Sequence, residues 1–260
     1  MERITLLLAA SVLALTGAAC GSDDLAPPAA GNVATTTVVT DPVVDPGDGG
    51  DYRPTLRAQD AVAVVDNPYF PLPVGARWTY GGTSDDEEER IEVEVLADTR
   101  RIMGIDAVVV SDRAYIAGEL AEDTIDFFTQ DRDGNVWYLG EETAEYKDGV
   151  VTTTAGSFQA GVDGALPGLI MPADPEVGDA YRQEFYIGEA EDMAEVLAVG
   201  GNATVPFGSF TDVITTEDWT PLEPGVVEEK RYAPGVGFIA AVTVAGGKAT
   251  LELVEFDPGQ

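Results

Sequence analysis

Apolar and acidic side chains alternate in several parts of the chain, and this alternation is the strongest indication of its fold. In its clearest example, single glutamates separate three apolar residues, Ile91, Val93 and Val95. The same spacing places Ile125 and Phe127 on either side of Asp126. Because successive side chains of a strand point to opposite faces, this pattern predicts strands with one buried face and one solvated face.

Turn signals separate these apolar runs at intervals typical of a meander. They are Gly81-Gly82, Asp133-Gly134, Asp148-Gly149, Pro234-Gly235 and Gly246-Gly247. Glycine and Asp-Gly pairs supply the backbone conformations that tight hairpins need. We therefore predict an all-β fold, mainly one antiparallel sheet, which a half-barrel would also satisfy. Residues 189–199 also fit an amphipathic helix, and a strand fits them equally well.

Four landmarks occur twice in the same order, at an offset of roughly one hundred residues. They are 74–78 and 177–181, 94–97 and 195–198, 104–109 and 208–214, and 128–137 and 232–238. A preserved order of several weak matches indicates an internal duplication. We predict two tandem β-meander repeats, at about 67–155 and 176–257, joined by a linker at 156–175.

The start of the chain has the order of a secretory signal. Arg3 precedes an apolar run at 4–15, and small residues lead up to Cys20. The run is too short to span a membrane, and the order predicts a signal peptide over 1–19. The site around Cys20 resembles the bacterial lipobox, although Gly17 stands where leucine is commonest. Lipidation of Cys20 is the interpretation we favour; ordinary secretion with an incidental thiol is the alternative.

Composition separates a tether from a folded domain. Residues 20–60 combine prolines, glycines and threonines without periodic apolar spacing, which predicts a lipidated N-terminus followed by a disordered tether. Residues 61–260 form the predicted β domain. The chain has 47 acidic and 14 basic residues, for a net charge of -33. Such a charge repels phosphates and anionic headgroups, so we expect no nucleic acid partner and membrane contact through the lipid anchor only.

The absence of histidine from the sequence excludes several kinds of chemistry. Catalytic triads that use histidine cannot form, and the usual zinc and copper sites need histidine or more than one cysteine. No phosphate-binding glycine loop or dinucleotide fingerprint occurs either. We therefore expect a protein that is not an enzyme. Hydrolysis by a pair of carboxylates stays open, because acidic residues are abundant.

One segment has the spacing of a calcium ligand set. Asp131, Asp133 and Asn135 occupy the first, third and fifth positions of an EF-hand count, and Glu142 occupies the twelfth. Val136 replaces the glycine that the sixth position requires, and the flanking residues are typical of strands. The alternative is a plain hairpin around an Asp-Gly-Asn turn. We expect no cofactor, apart from weak calcium binding if this set forms a site.

The linker at 156–175 is unusually apolar for a connection. Its large apolar residues are Leu166, Leu169, Ile170 and Met171. The favoured interpretation is that the linker crosses the sheet and covers its open edge. The alternative is that these residues line or cover an apolar ligand cleft.

Two segments carry a resemblance to known proteins. They are 67–75, followed by Trp78 and Tyr80, and 232–237. In this order they are similar to a group of uncharacterised exported bacterial β-rich proteins and lipoproteins, from about residue 67 to the end. The resemblance implies no particular activity. More loosely, the build is similar to β half-barrels of the lipoprotein-carrier type.

Together these observations predict a lipid-anchored domain on the extracytoplasmic face of the cell membrane. Non-enzymatic binding of a ligand or partner is the favoured role. A carboxylate-based hydrolase at the cell surface and a structural envelope protein are the alternatives.

Overall fold

The computed structural model describes residues 52–259, which form strands and connecting turns without a helix. No helix in this part of the chain is therefore long and apolar enough to cross a membrane. The strands are β1 (Ala61–Val62), β2 (Arg77–Ser84), β3 (Glu87–Ile102), β4 (Ile105–Ile116), β5 (Glu119–Asp131), β6 (Val136–Lys147), β7 (Val150–Thr153), β8 (Phe158–Gln159), β9 (Gly168–Met171), β10 (Ala180–Arg182), β11 (Met193–Val205), β12 (Gly208–Trp219), β13 (Val227–Ala233), β14 (Gly237–Ala245) and β15 (Thr250–Asp257).

All described strands belong to one antiparallel sheet, which confirms the predicted fold class. The sheet follows the order β10-β11-β12-β13-β14-β15-β2-β3-β4-β5-β6-β7 and is open at both ends. Two six-stranded meanders, β2–β7 and β10–β15, thus meet where β15 pairs with β2. The segment 189–199, which also fitted a helix, contributes to strand β11.

The two meanders share a detail of register at their first hairpins. Trp78 of β2 pairs with Val93 of β3, and Tyr181 of β10 pairs with Ala194 of β11. The backbone amide of the glycine before each first strand, Gly75 or Gly178, donates to a carbonyl oxygen on the second strand. The two halves therefore share strand order and this local geometry, while the duplication itself stays a prediction.

One predicted turn is wrong. Gly81-Gly82 lies inside β2, and the hairpin turns instead at Asp85 and Asp86, whose φ angles are 50° and 68°. A Cβ atom on Gly82 would lie 1.8 Å from the backbone oxygen of Thr250. Gly82 therefore permits the close approach of β15, because glycine has no side chain to separate the two backbones.

The alternation at the start of β3 predicts its buried face correctly. Ile91, Val93 and Val95 are buried in the larger of two apolar clusters. The same reasoning is wrong for Asp126, which was expected on a solvated face and is 0% exposed. Both faces of β5 are covered, so alternation there separates two buried faces rather than an inside from an outside.

The linker runs back along the edge of the first meander. Both β8 and β9 pair with β6, beside the part of β6 that pairs with β7. An isolated bridge joins Leu166 to Phe185, and a Cβ atom on Gly168 would lie 1.8 Å from the backbone oxygen of Gln183. The linker thus lies between the first meander and the chain that follows β10.

The segment before β1 packs on the same domain. Tyr52 and Leu56 are buried, and the hydroxyl of Tyr52 donates to the carbonyl oxygen of Pro167 at 2.9 Å. The packed part of the chain therefore includes residues before position 61. The signal peptide, Cys20 and residues 20–51 of the tether lie outside the described residues.

The two segments that carried the family resemblance meet in space. The Gly235 amide donates to the carbonyl oxygen of Pro68 at 2.7 Å, and the Trp78 indole nitrogen donates to that of Val236 at 2.8 Å. Together with neighbouring apolar residues they line a small cavity of about 40 Å³. The two segments thus close the sheet core between its two halves.

Candidate functional site

The interior of the first meander contains a row of buried acidic side chains. Asp112, Glu122, Asp126 and Glu141 are 7%, 8%, 0% and 1% exposed. The register explains their common position, because Asp126 lies opposite Glu141 on β6 and opposite a buried valine on β4. These carboxyl groups therefore face the same interior as the apolar side chains of β3. Buried carboxyl groups are rare unless they are paired.

A tyrosine connects two of these acids. The hydroxyl oxygen of Tyr138 lies 2.6 Å from Asp126 Oδ1 and 3.1 Å from Glu141 Oε2. A phenol has one proton to donate. The second contact is therefore a hydrogen bond only when one of the carboxyl groups is protonated and donates to the phenol oxygen.

Burial favours that protonated form. Desolvation raises the pKa of Asp112, Asp126 and Glu141 well above their ordinary values, and neighbouring carboxylates raise them further. The hydrogen bond from Tyr138 acts in the opposite direction on Asp126 and Glu141 but is the smaller effect. These are the expected effects of low dielectric and like charge on a carboxyl group.

Two oxygens of this cluster have no hydrogen-bond partner among residues 52–259. They are Oδ2 of Asp126 and Oε1 of Glu141, and both are buried. No described lysine or arginine forms an ion pair with either side chain. An unsatisfied buried polar group costs about 1–3 kcal/mol, and more when it is charged, so the cluster is a local source of instability.

Glu141 also belongs to the wall of a cleft of about 270 Å³. Phe127, Phe158 and Tyr186 supply its aromatic surface. The remaining lining residues are Glu142, Ser157, Gln159, Val162, Asp163 and Ala165. The Phe158 ring contacts that of Tyr138 at 5.6 Å between centroids. The cleft therefore adjoins the point where Tyr138 meets the two carboxyl groups.

The rim of the cleft already holds one cation. The guanidinium carbon of Arg100 lies 5.6 Å from the centroid of the Phe127 ring, and Nη2 lies 3.0 Å from Glu142 Oε1. Arg100 and Glu142 are both largely exposed. At the surface beside the cleft, a carboxylate and an aromatic ring thus hold the guanidinium of Arg100 together.

The second meander contains another buried acidic cluster, and there a lysine neutralises part of the negative charge. The buried ammonium of Lys230 lies 3.2 Å from Asp218 Oδ2 and 3.8 Å from Glu228 Oε2. Burial raises the pKa of Asp192 and Glu228 to about 7, while Lys230 lowers both. The acidic cluster of the first meander therefore differs from that of the second, because only the second has a buried ammonium among its carboxyl groups.

The residues of the calcium hypothesis lie at the β5–β6 hairpin, whose turn was the alternative interpretation. Oδ1 of Asp131 accepts from the amides of Asp133 and Asn135, and Oδ2 accepts from the Asn135 side chain and the Trp137 indole. Both oxygens of Asp131 therefore hold the turn together.

Glu142, the twelfth residue of the EF-hand spacing, lies farther along the hairpin in β6. Glu142 pairs with Arg100. Within residues 52–259, no three acidic or cysteine side chains are arranged to hold a metal ion. The structure thus brings Asp131, Asp133 and Asn135 together and leaves Glu142 apart from them, and calcium binding stays a prediction.

The apolar residues of the linker are core residues. Leu169, Ile170 and Met171 are at most 1% exposed, and Leu166 is half-buried. The cleft is lined by Ala165 and by none of these four. Their packing agrees with a linker that covers the edge of β6, and their role as ligand contacts stays a prediction.

Reasoning from sequence missed the acidic cluster and the cleft. A usable signal exists at Asp126, since the residues that follow it, Phe127 and Phe128, are apolar on both faces of the strand. An acidic residue inside a strand with two apolar faces must be buried. The contributions of Glu141 and Tyr186 depend on strand pairing and could not be read from local sequence.

Comparison with known proteins gives little further information. No protein-family model matches the chain, and no curated protein is significantly similar to it. A crystal structure of a candidate lipoprotein from Parabacteroides distasonis is similar to this chain with a TM-score of 0.41 and 11% sequence identity, covering 74% of this chain and 99% of that chain. A likeness this distant carries no argument about activity.

Proposed function

We propose that the protein is an exported, lipid-anchored domain that binds a small ligand in the cleft beside Glu141. The observation that carries the proposal is the cleft itself, a concave site of about 270 Å³ with an aromatic wall formed by Phe127, Phe158 and Tyr186. Strongly perturbed acids in a concave site are typical of functional sites.

The size of the cleft limits the ligand. Its volume of about 270 Å³ is slightly below the roughly 300–1,000 Å³ of pockets for drug-sized molecules. The polar rim formed by Ser157, Gln159 and Asp163 suits a ligand that is partly solvated when bound. A small organic molecule fits these limits, and a long acyl chain does not.

The membrane anchor is a separate part of the proposal. It rests on Cys20 and the apolar leader that precedes it. Two or three acyl chains on this cysteine would give durable attachment, at about 0.8 kcal/mol per buried methylene. The tether would then hold the binding domain away from the lipid surface.

A carboxylate-based hydrolase is the second candidate, favoured by one observation. Asp126 and Glu141 are a buried acidic pair that meets at one tyrosine hydroxyl. A glycosidase places its two carboxyl groups about 5–10 Å apart on either side of the bond that is cleaved. Here Tyr138 lies between the acids, and Asp126 is not part of the cleft wall. Since the cleft does not lie between the two acids, binding is the better-supported role.

The proposal is tested by blocking the cleft. Val162 lines it and is 44% exposed, so Val162→Trp is expected to narrow the cleft without disturbing the core. Val244→Trp, at a position that is 49% exposed and lies on β14, is the matched control. Thermal unfolding would be followed with phenol, N-acetylglucosamine and n-butylammonium as probes, at constant ionic strength.

At least one probe is expected to stabilise the wild type and Val244→Trp but not Val162→Trp, because a ligand that binds only the native state raises its stability. No cleft-dependent stabilisation by any of the three probes would overturn the proposal. Hydrolysis of aryl glycosides that is lost in both Asp126→Asn and Glu141→Gln would favour the hydrolase instead.

A further inference from the structure

We propose that Lys230 and Asp218 react with each other to form an amide bond between their side chains, a covalent cross-link between strands β13 and β12. The proposal concerns the buried polar cluster of the second meander and does not depend on the ligand cleft. The structure contains the two side chains as an unreacted pair.

The register of the two strands brings the reacting groups together. Lys230 lies opposite Thr216, and Asp218 lies opposite Glu228, so the four side chains share one face of the β12–β13 ladder. Lys230 Nζ lies 3.2 Å from Asp218 Oδ2. Lys230 and Asp218 are only 3% and 5% exposed. The amine is therefore held in contact with the carboxyl group that it attacks, and such positioning replaces a high concentration of a free reactant.

The carboxyl group of Asp218 receives a hydrogen bond on each of its oxygens. The Thr216 hydroxyl donates to Oδ1, and the side-chain amide of Gln183 donates to Oδ2 at 3.1 Å. Attack on the carboxyl carbon increases the negative charge on these oxygens. Hydrogen-bond donors that already point at the place where negative charge develops stabilise the transition state of acyl transfer. The two donors therefore favour the addition step.

Glu228 is the group placed to move the proton. Lysine attacks only as a neutral amine. Burial lowers the pKa of Lys230, and the carboxylates of Asp218, Glu228 and Asp192 together raise it by more, so the ammonium is the resting form. Glu228 Oε2 lies 3.8 Å from Nζ, and burial raises the pKa of this acid to about 7, although Lys230 lowers it. An acid with a pKa near the working pH is suited to both accept and return a proton.

The reaction is balanced without any further reactant. Nζ of Lys230 forms a bond to Cγ of Asp218, and one carboxyl oxygen leaves as water. Both protons of that water come from the ammonium, which keeps one hydrogen as the amide N–H, and Glu228 carries a proton between the two groups. One ammonium and one carboxylate thus become one neutral amide and one water molecule. The cross-linked protein no longer has to keep these two charges away from water, which is costly in a buried site.

Peptide mapping by mass spectrometry tests the cross-link in the full-length protein, folded at neutral pH and then denatured and digested. Cleavage after glutamate separates Asp218 from Lys230, because Glu228 and Glu229 lie between them. For the wild type we expect the peptides that contain the two residues to remain joined, with a mass lower than their sum by one water molecule. Separate, unmodified peptides would overturn the proposal. A bond from Lys230 to Glu228 would also overturn it.

Variants of the reacting pair distinguish an amide from other losses of water. Lys230→Arg keeps the positive charge but should give only separate peptides. Asp218→Asn should give a joined pair of the same mass as in the wild type, because its amide releases ammonia in place of water and leaves the same product. Joined peptides in Lys230→Arg would show that the link does not involve Lys230 and would overturn the proposal.

The role of Glu228 is tested by the rate of cross-linking, measured as the joined fraction over time after synthesis. Glu228→Gln should slow the reaction on the order of 100-fold, the usual effect of losing an acid–base group. Glu252→Gln, at an exposed residue of β15, is the control with the same change in charge and should react at the wild-type rate. Equal rates in Glu228→Gln and the wild type would overturn the role of Glu228 in the reaction.

Discussion

Replacing Glu141 with glutamine should stabilise the protein above neutral pH. The wild-type carboxyl group is buried, and one of its oxygens is unpartnered among the described residues. Glutamine keeps the shape of the side chain and an oxygen that accepts from Tyr138, but it carries no charge. Each unit by which burial raises the pKa of Glu141 makes the charged side chain about 1.4 kcal/mol more costly to keep in the folded protein. We therefore expect a gain on the order of 1–3 kcal/mol in the free energy of unfolding at about pH 8.

The gain should depend on pH in a defined direction. Burial raises the pKa of Glu141 in the folded protein above its value in the unfolded chain. The folded state therefore binds the extra proton, and wild-type stability falls as pH rises from the unfolded pKa towards the folded one. The glutamine variant has no such titration. The advantage of Glu141→Gln should therefore shrink towards zero at about pH 5, below the raised pKa.

Urea unfolding of the two proteins at both pH values measures this difference. Glu252→Gln is the control, and its free energy of unfolding should stay within about 0.5 kcal/mol of wild type, as for most surface substitutions. A Glu141→Gln variant less stable than wild type at the higher pH would contradict this prediction. So would a gain of the same size at both pH values, since it would have no electrostatic origin.

Three further predictions address other parts of the molecule. Lys230→Met should destabilise the protein by about 3–5 kcal/mol in urea unfolding, because it leaves buried carboxylates without their cation; a loss below about 1 kcal/mol would contradict the account of that cluster. At matched ionic strength, calcium should stabilise the wild type more than the double variant Asp131→Asn/Asp133→Asn if the hairpin binds it, and equal stabilisation would assign the effect to the general negative charge. Cys20→Ala should move the protein from the membrane fraction to the soluble fraction, and a native Cys20 with a free thiol would end the lipidation hypothesis.

The fold class could be predicted from sequence because its signals are local. Alternation at Ile91, Val93 and Val95 identifies a strand and its buried face, and Asp-Gly or Pro-Gly pairs mark several of the hairpins. Gly81-Gly82 shows the limit of this reasoning. Glycine serves both a turn and the close approach of a neighbouring strand, and only the pairing of β2 with β15 decides between them.

The candidate site could not be predicted because its parts come from distant positions. Asp126 and Glu141 become neighbours through the register of β5 and β6. Phe158 and Tyr186 join them through the linker and the chain after β10. By residue type, the buried acids also do not differ from the many acidic residues on the surface of a protein of net charge -33. Only their burial distinguishes them.

The proposed function depends on whether the cleft beside Glu141 binds a small ligand. Crystal structures of the protein soaked separately in phenol, N-acetylglucosamine and n-butylammonium answer this question. We expect at least one of these molecules to lie in the cleft, in contact with Phe158 and Tyr186. An empty cleft in all three structures would contradict the proposed function.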